Sequence, residues 1–318
     1  VADGAPRTTA ILAPGTILAL GAILALAAIL TLDAPDAAAA GAADRPLKVF
    51  ISADMEGIGG VVTWSVQAAA DGREYEKFRR LMTLEVNAAV EGAFDAGATE
   101  VLVADAHGDA QNLDVELLDR RARLVRGCPR PLGMMQGIDG SFAAAVFVGY
   151  HGAEGDAAAI LSHTNTSGEV FQVRLNGTPV PEAGFNAAIA AEFGVPVVFL
   201  SGDQTIASEA KRLIGPIETA VVKEATGFHS ATMLHPEESR RLIREGVRRG
   251  IDRRGAIPLR KPDRPIQIEI TWKRAINAEL VSYLPGVERP AGNVVAFRAR
   301  DMVEATKFFY AVRMLNKY

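Results

Sequence analysis

One cysteine, Cys128, stands among the 318 residues. That scarcity excludes an internal disulfide framework and any cysteine-built zinc cluster, and a lone cysteine reads as a small buried hydrophobe before it reads as a nucleophile. An excess of one charge sign is also lacking: 34 Lys and Arg against 38 Asp and Glu leave a net charge of -4, which points to no polyanionic partner. No glycine-rich phosphate loop is found. Gly57-Ile58-Gly59-Gly60 begins like a dinucleotide loop, but the spacing needs glycine at position 62, where Val62 stands. Internal repeats are lacking, and beyond residue 32 no apolar run is long enough to span a bilayer.

Hydrophobic residues make up 49% of the chain, enough for one large domain or a domain with a smaller appendage. Residues 16–32 (TILALGAILALAAILTL) are unbroken apolar sequence, followed by Asp33-Ala34-Pro35-Asp36 and a run of alanine and glycine to Ala43. An apolar segment followed by small residues is the pattern of a secretory signal peptide. The run is also at the short end of a membrane span, so a retained anchor is the alternative, and Arg7 is the only basic residue ahead of it. Residues 1–45 are thus expected to be a signal peptide or N-terminal anchor with a linker. The protein would be exported, periplasmic or extracellular, or held at the membrane by this segment alone; if the segment is no export signal, it would be cytoplasmic.

The chemistry gathers at strand ends. Leu47-Lys48-Val49-Phe50-Ile51 is a short, β-branched and aromatic run, a buried strand that delivers Ser52-Ala53-Asp54-Met55-Glu56-Gly57. Asp54 and Glu56 are two apart and share a face. Acidic residues also cap strand ends for purely structural reasons, but the pattern recurs. Glu100 to Ala106 is a second strand signal running into His107, and Ala143 to Tyr150 a third running into His151. In open α/β sheets ligands sit beyond the carboxyl ends of the strands, so Asp, Glu, His and His delivered to one edge suggest one site. Imidazole with carboxylate suits a zinc-type ion.

Between these strands, Phe78, Leu81, Met82, Val86, Ala89, Val90 and Ala93 form a helical stripe, giving a right-handed βαβ crossover from Leu47 to Ala106. A short helix is expected over Leu113 to Leu118 and a short strand at Arg123-Leu124-Val125. His163 lies in a polar loop, where a histidine usually faces solvent. Glu169 to Leu175 followed by Asn176-Gly177 signals a hairpin. Glu182 opens a helix, where an acidic residue normally serves the helix dipole. Val195 to Leu200 is a fourth buried strand ending at Ser201-Gly202-Asp203, with Asp203 either a support for the site or a helix cap. The arginines of 240–249 alternate with Leu242, Ile243 and Val247 as the solvated face of an amphipathic helix, not a nucleic-acid surface. After the linker Arg260 to Pro265 come strands at Ile266 to Trp272 and Val294 to Phe297 and a closing helix from Met302 to Met314.

These pieces, Ser52 to Gly57, Asp105-Ala106-His107, Gly149-Tyr150-His151, Ser162-His163, Glu182 to Ala187 and Ser201-Gly202-Asp203, resemble in order and spacing the zinc-dependent D-aminopeptidases of the DppA type. The resemblance implies that Asp54 is a bridging carboxylate and that Glu56, His107, His151 and Glu182 complete the ligands of two zinc ions per subunit. It implies that His163 is the catalytic residue, as nucleophile or as general acid and base, with Asp203 and Asn186 supporting the site. Gln204 departs from the family, whose motif reads Gly-Asp-Asp at this point. The implied activity is removal of an N-terminal D-amino acid, such as D-alanine, from a small peptide or amide, in a homo-oligomer.

The expected fold class is α/β: a three-layer, sheet-centred hydrolase domain over residues 46–258 with its ligands at the carboxyl ends of parallel strands, plus a small C-terminal α/β appendage over 259–318. Two rivals are a dinuclear hydrolase of another amide or a phosphoester, and an exported solute-binding protein without catalysis.

Overall fold

In the computed structural model, Val1 and residues 46–315 are described; the expected signal peptide or anchor lies outside them. From residue 46 the chain is one compact unit. Within it are a seven-stranded and a five-stranded sheet, and no described helix is long and apolar enough to cross a membrane.

The larger sheet runs β3-β2-β1-β4-β7-β8-β9, where β1 is Lys48–Ala53, β2 Glu100–Asp105, β3 Ala122–Val125, β4 Ala144–Tyr150, β7 Val197–Asp203, β8 Glu218–Gly227 and β9 Ser230–Met233. All its pairings are parallel except β8 with β9. β1, β4 and β7 are largely apolar and are buried along almost their whole length. Such continuous apolar runs belong to strands covered on both faces. Helix α1 (Tyr75–Asp95) connects β1 to β2 in one direction across the sheet. Helix α2 (Glu182–Glu192) precedes β7, which pairs with β4 in the other direction. Right-handed crossovers then put α1 and α2 on opposite faces, giving the expected three layers. Helices α3 (Gln204–Leu213) and α4 (Pro236–Asp252) follow β7 and β9. α4 packs on α1 closely enough that a Cβ at Gly92 would lie 2.3 Å from the Arg244 carbonyl oxygen.

The expected boundary at residue 258 cuts through a sheet. The smaller sheet runs β11-β12-β10-β5-β6, with β10 (Ile266–Trp272), β11 (Val287–Ala291) and β12 (Val294–Ala299) from the C-terminal segment. Its other two strands, β5 (Val170–Leu175) and β6 (Thr178–Val180), are the hairpin read around Asn176-Gly177. β10 pairs antiparallel with both β12 and β5, so its alternating burial packs across two hydrogen-bonded neighbours. Helices α5 (Ala275–Ser282) and α6 (Met302–Leu315) complete this part, and α6 rests on α2.

Two local expectations are corrected. Leu113 to Leu118 forms turns, not a helix, because the Asp105 carboxylate takes the N–H groups of Asn112 (2.6 Å) and Leu113 (2.7 Å) and holds the segment in a loop. Cys128 is exposed, since its turn Gly127 to Pro131 lies at the edge of a cavity rather than beneath the sheet.

Candidate metal centre

β1 lies between β2 and β4 in register, so the residues that follow these three strands meet above its carboxyl end. The main chain beyond β1 stays bound to β4: Asp54 N–H donates to the Val148 carbonyl (2.8 Å) and Gly57 N–H to Gly149 (2.7 Å). At position 57 only glycine fits, because a Cβ there would stand 2.0 Å from the Tyr150 oxygen. The Asp54 and Glu56 side chains are thereby aimed at one point. Asn112 Nδ2 donates to the His107 carbonyl (2.6 Å), and the same amide bonds Asp105 (2.8 Å), which fixes the loop that presents His107.

Six side chains converge in two groups, Asp54 with Glu56 and His107, and His151 with His163 and Glu182. His107 Nδ1 lies 3.0 Å from Glu56 Oε2 and 3.3 Å from Asp54 Oδ1. His151 Nε2 lies 3.4 Å from Asp54 Oδ2 and 3.3 Å from Glu182 Oε1. Asp54 therefore turns one oxygen to each group. His163 stacks on His151 with ring centroids 3.9 Å apart, and its Nε2 is 3.7 Å from Glu182 and 4.0 Å from Glu56.

Each imidazole spends its other nitrogen on a backbone carbonyl: His107 Nε2 on Ala68 (2.9 Å), His151 Nδ1 on Gly152 (3.0 Å) and His163 Nδ1 on Leu161 (2.8 Å). Such bonds fix the tautomer and leave the inward nitrogen as a lone pair. Lone pairs facing carboxylates are repulsive unless a cation stands between them. His151 Nε2 is buried without a hydrogen-bond partner. Protons can supply the cation: burial alone would push His107 and His151 down, but Glu56, Asp54 and Glu182 raise both well above the ordinary histidine value. Burial raises Glu56 and Glu182, and the histidines reverse this to hold both below the ordinary carboxylate range. An array of imidazole and carboxylate with an orphaned nitrogen at its centre fits a zinc-type ion, which would displace those protons.

His163 differs from its neighbours in exposure. Its side chain is 13% accessible against 1% for His151, and it lines the cavity beside the centre. Its loop is held in an unusual backbone, with positive φ at Leu161 (50°) and Asn165 (62°). Asp203 anchors this loop by accepting the Ile160 N–H (2.8 Å), and it also caps α3 through Thr205 and Ile206 (both 3.0 Å). Asn186 lies behind the centre, donating to the Tyr150 hydroxyl (3.0 Å), which donates to Ser52 Oγ (2.8 Å). Gln204 ties the Ala158 carbonyl to the Ala225 N–H (both 2.8 Å) and is not part of the cavity lining.

Two groups were not evident in the sequence. Lys223 on β8 is fully buried, and its ammonium donates to the carbonyls of Glu56, Ile58 (3.0 Å) and Val61 (2.6 Å). Glu85 on α1 accepts the Gly59 N–H (2.9 Å). One cation and one carboxylate thus clamp the loop that carries Glu56 at both backbone polarities. Burial pushes Glu85 up to about 7, against the Gly59 bond and the Lys223 charge, and pushes Lys223 down to about 8.

A carboxyl group with a raised folded pKa contributes stability that is full below its unfolded value and lost as pH rises through the folded one. For Glu85 that window runs from 4.5 to about 7, or about 3 kcal/mol at ~1.4 kcal/mol per unit. Glu85→Gln keeps an acceptor for Gly59 and should flatten the decline in urea midpoint between pH 5 and pH 8. An unchanged slope would show that Glu85 does not titrate there.

A family profile described as D-aminopeptidase matches residues 47–311. A "D-aminopeptidase" of Bacillus subtilis (strain 168) is 37% identical over 261 residues, covering 81% of this chain and 94% of the relative. Among solved structures, one described as "Zn-dependent D-aminopeptidase DppA from Bacillus subtilis, a self-compartmentalizing protease" superposes with a TM-score of 0.82 at 34% identity, covering 85% of this chain and 98% of that one.

Proposed function

The chain belongs to the D-aminopeptidase family, and from that premise we propose that it is a zinc-dependent aminopeptidase releasing an N-terminal D-amino acid from short peptides. What carries the reading to this chain's own residues is Asp54, whose two oxygens address His107 and His151 separately. Asp54, Glu56, His107, His151 and Glu182 would hold two zinc ions, Asp54 being the carboxylate that both groups of side chains share. Bound there, zinc supplies Lewis-acid polarisation of a carbonyl and lowers the pKa of water.

The remaining work falls to the protein. His163 Nε2 faces the cavity with its lone pair, while Nδ1–H is held on the Leu161 carbonyl. It is the group placed to move a proton at the reacting carbonyl and the leaving amine. Asn165 N–H donates to Glu182 Oε1 (2.6 Å), which orients that carboxylate from the same loop. Trp64 and Met134 add apolar lining to the cavity.

The self-compartmentalizing character of the solved relative supports a homo-oligomeric assembly here. Residues 16–43 support action outside the cytoplasm. The function is tested with D-alanine amide and L-alanine amide. Hydrolysis should favour the D isomer, stop with a chelator and return with zinc. Chelator-resistant turnover would overturn the metal role, and equal rates on both isomers the stereochemical one.

A further inference from the structure

The cavity beside the centre holds roughly 650 Å³ and is lined by residues of both charges. Asp54, Glu56, Glu169 and Glu182 are its acidic residues. Arg130, from the turn after β3, and Lys307 and Arg313, from α6, are basic ones.

These cations are not closed off by acids. Arg241, Arg244 and Arg249 on α4 each bind Glu or Asp, whereas among the described residues no carboxylate pairs with Arg130, Lys307 or Arg313. Among the described residues, Arg130 donates only to the carbonyls of Asp105 and Val125 (3.5 Å for Val125). Arg313 lies over the Tyr310 ring, 5.4 Å from its centroid, and its Nε is buried without a hydrogen-bond partner. A continuous row links it to the centre. Asn165 bonds Glu182 through its backbone N–H, its side-chain amide stands 3.4 Å from the Tyr310 hydroxyl, and the Tyr310 ring lies under the Arg313 guanidinium.

We propose that Arg313, with Lys307 and Arg130, is the subsite for the C-terminal carboxylate of the substrate, so that the cavity selects short peptides with a free C-terminus. This rests on the aminopeptidase reading, which places the scissile bond at the metal centre. The end of a short peptide away from that bond carries a carboxylate at neutral pH, which these cations can meet. The planar guanidinium of Arg313 can meet a carboxylate with two parallel N–H bonds, and Lys307 adds a mobile charge. Converting the terminal carboxylate to an amide removes the anion and leaves the cations without a counter-charge.

The experiment compares kcat/KM for D-alanyl-D-alanine and D-alanyl-D-alanine amide on the zinc-loaded protein, alongside D-alanine amide. Hydrogen bonds to charged groups correspond to roughly 10- to 100-fold, and the free acid should be preferred by that factor, chiefly through KM. The preference should shrink at least about tenfold in Arg313→Met and fall in Lys307→Gln, a change at an exposed position. A third arm uses D-alanyl-aspartic acid amide, whose carboxylate is on a side chain. Equal rates for acid and amide in the unaltered protein would overturn the subsite, as would a preference that survives both substitutions or is restored by the aspartyl side chain. D-alanine amide lacks the distal carboxylate. Its hydrolysis tests the aminopeptidase reading separately, so failure of one leaves the other standing.

Discussion

Replacing His163 by alanine is expected to lower kcat by roughly 10²- to 10⁴-fold, the range for loss of a positioned proton-transfer group, while bound zinc is retained. The expectation rests on the contrast between two stacked rings. His151 is sealed, with Nε2 facing Asp54 and Glu182, whereas His163 stands farther from both carboxylates it approaches and opens on the cavity. Losing it should remove chemistry and leave the ligands. Added imidazole should restore part of the rate, because deletion of the ring leaves room beside His151. Zinc lost in step with activity would make His163 a ligand, and unchanged turnover would remove it from the mechanism.

Asp54→Asn should have the larger effect, lowering both zinc content and activity. The amide keeps the shape and can still accept the Met55 N–H that Asp54 Oδ1 accepts at 2.9 Å. It removes the charge that both histidine groups share. Mutating an outer partner of a metal ligand typically costs roughly 10- to 100-fold in affinity, and loss of a shared inner carboxylate should exceed this. Metal analysis after dialysis, together with thermal unfolding, separates the cases. A folded variant that keeps full zinc would show that Asp54 does not hold the metal.

The strand ends were legible in the sequence because a strand buried on both faces leaves a short, unbroken apolar word, and Asp54, Glu56, His107 and His151 stand directly after three such words. Glu182 and His163 were not legible from local pattern. A carboxylate in a first helical turn and a histidine in a polar loop have ordinary explanations, and only resemblance to a family raised them. β8 carries half-buried positions among buried ones, so it has no unbroken apolar run and Lys223 reads there as a surface charge. Its burial depends on three carbonyls of a loop more than 160 residues away in sequence. The smaller sheet escaped for a similar reason. Nothing local tells Val170–Leu175 that its partner is Ile266–Trp272. Cys128 was misread because residue type alone cannot separate a core position from a cavity rim.

The shared sheet also orders events in time. Chains emerge from the ribosome N-terminus first and tend to fold as they emerge. Every proposed ligand of the centre precedes residue 183, while Lys307, Tyr310 and Arg313 belong to α6, much later in the chain. A folding chain could bring its ligands together before α6 adds its residues to the cavity. Discrimination among peptides would then be acquired after the metal-binding residues have met.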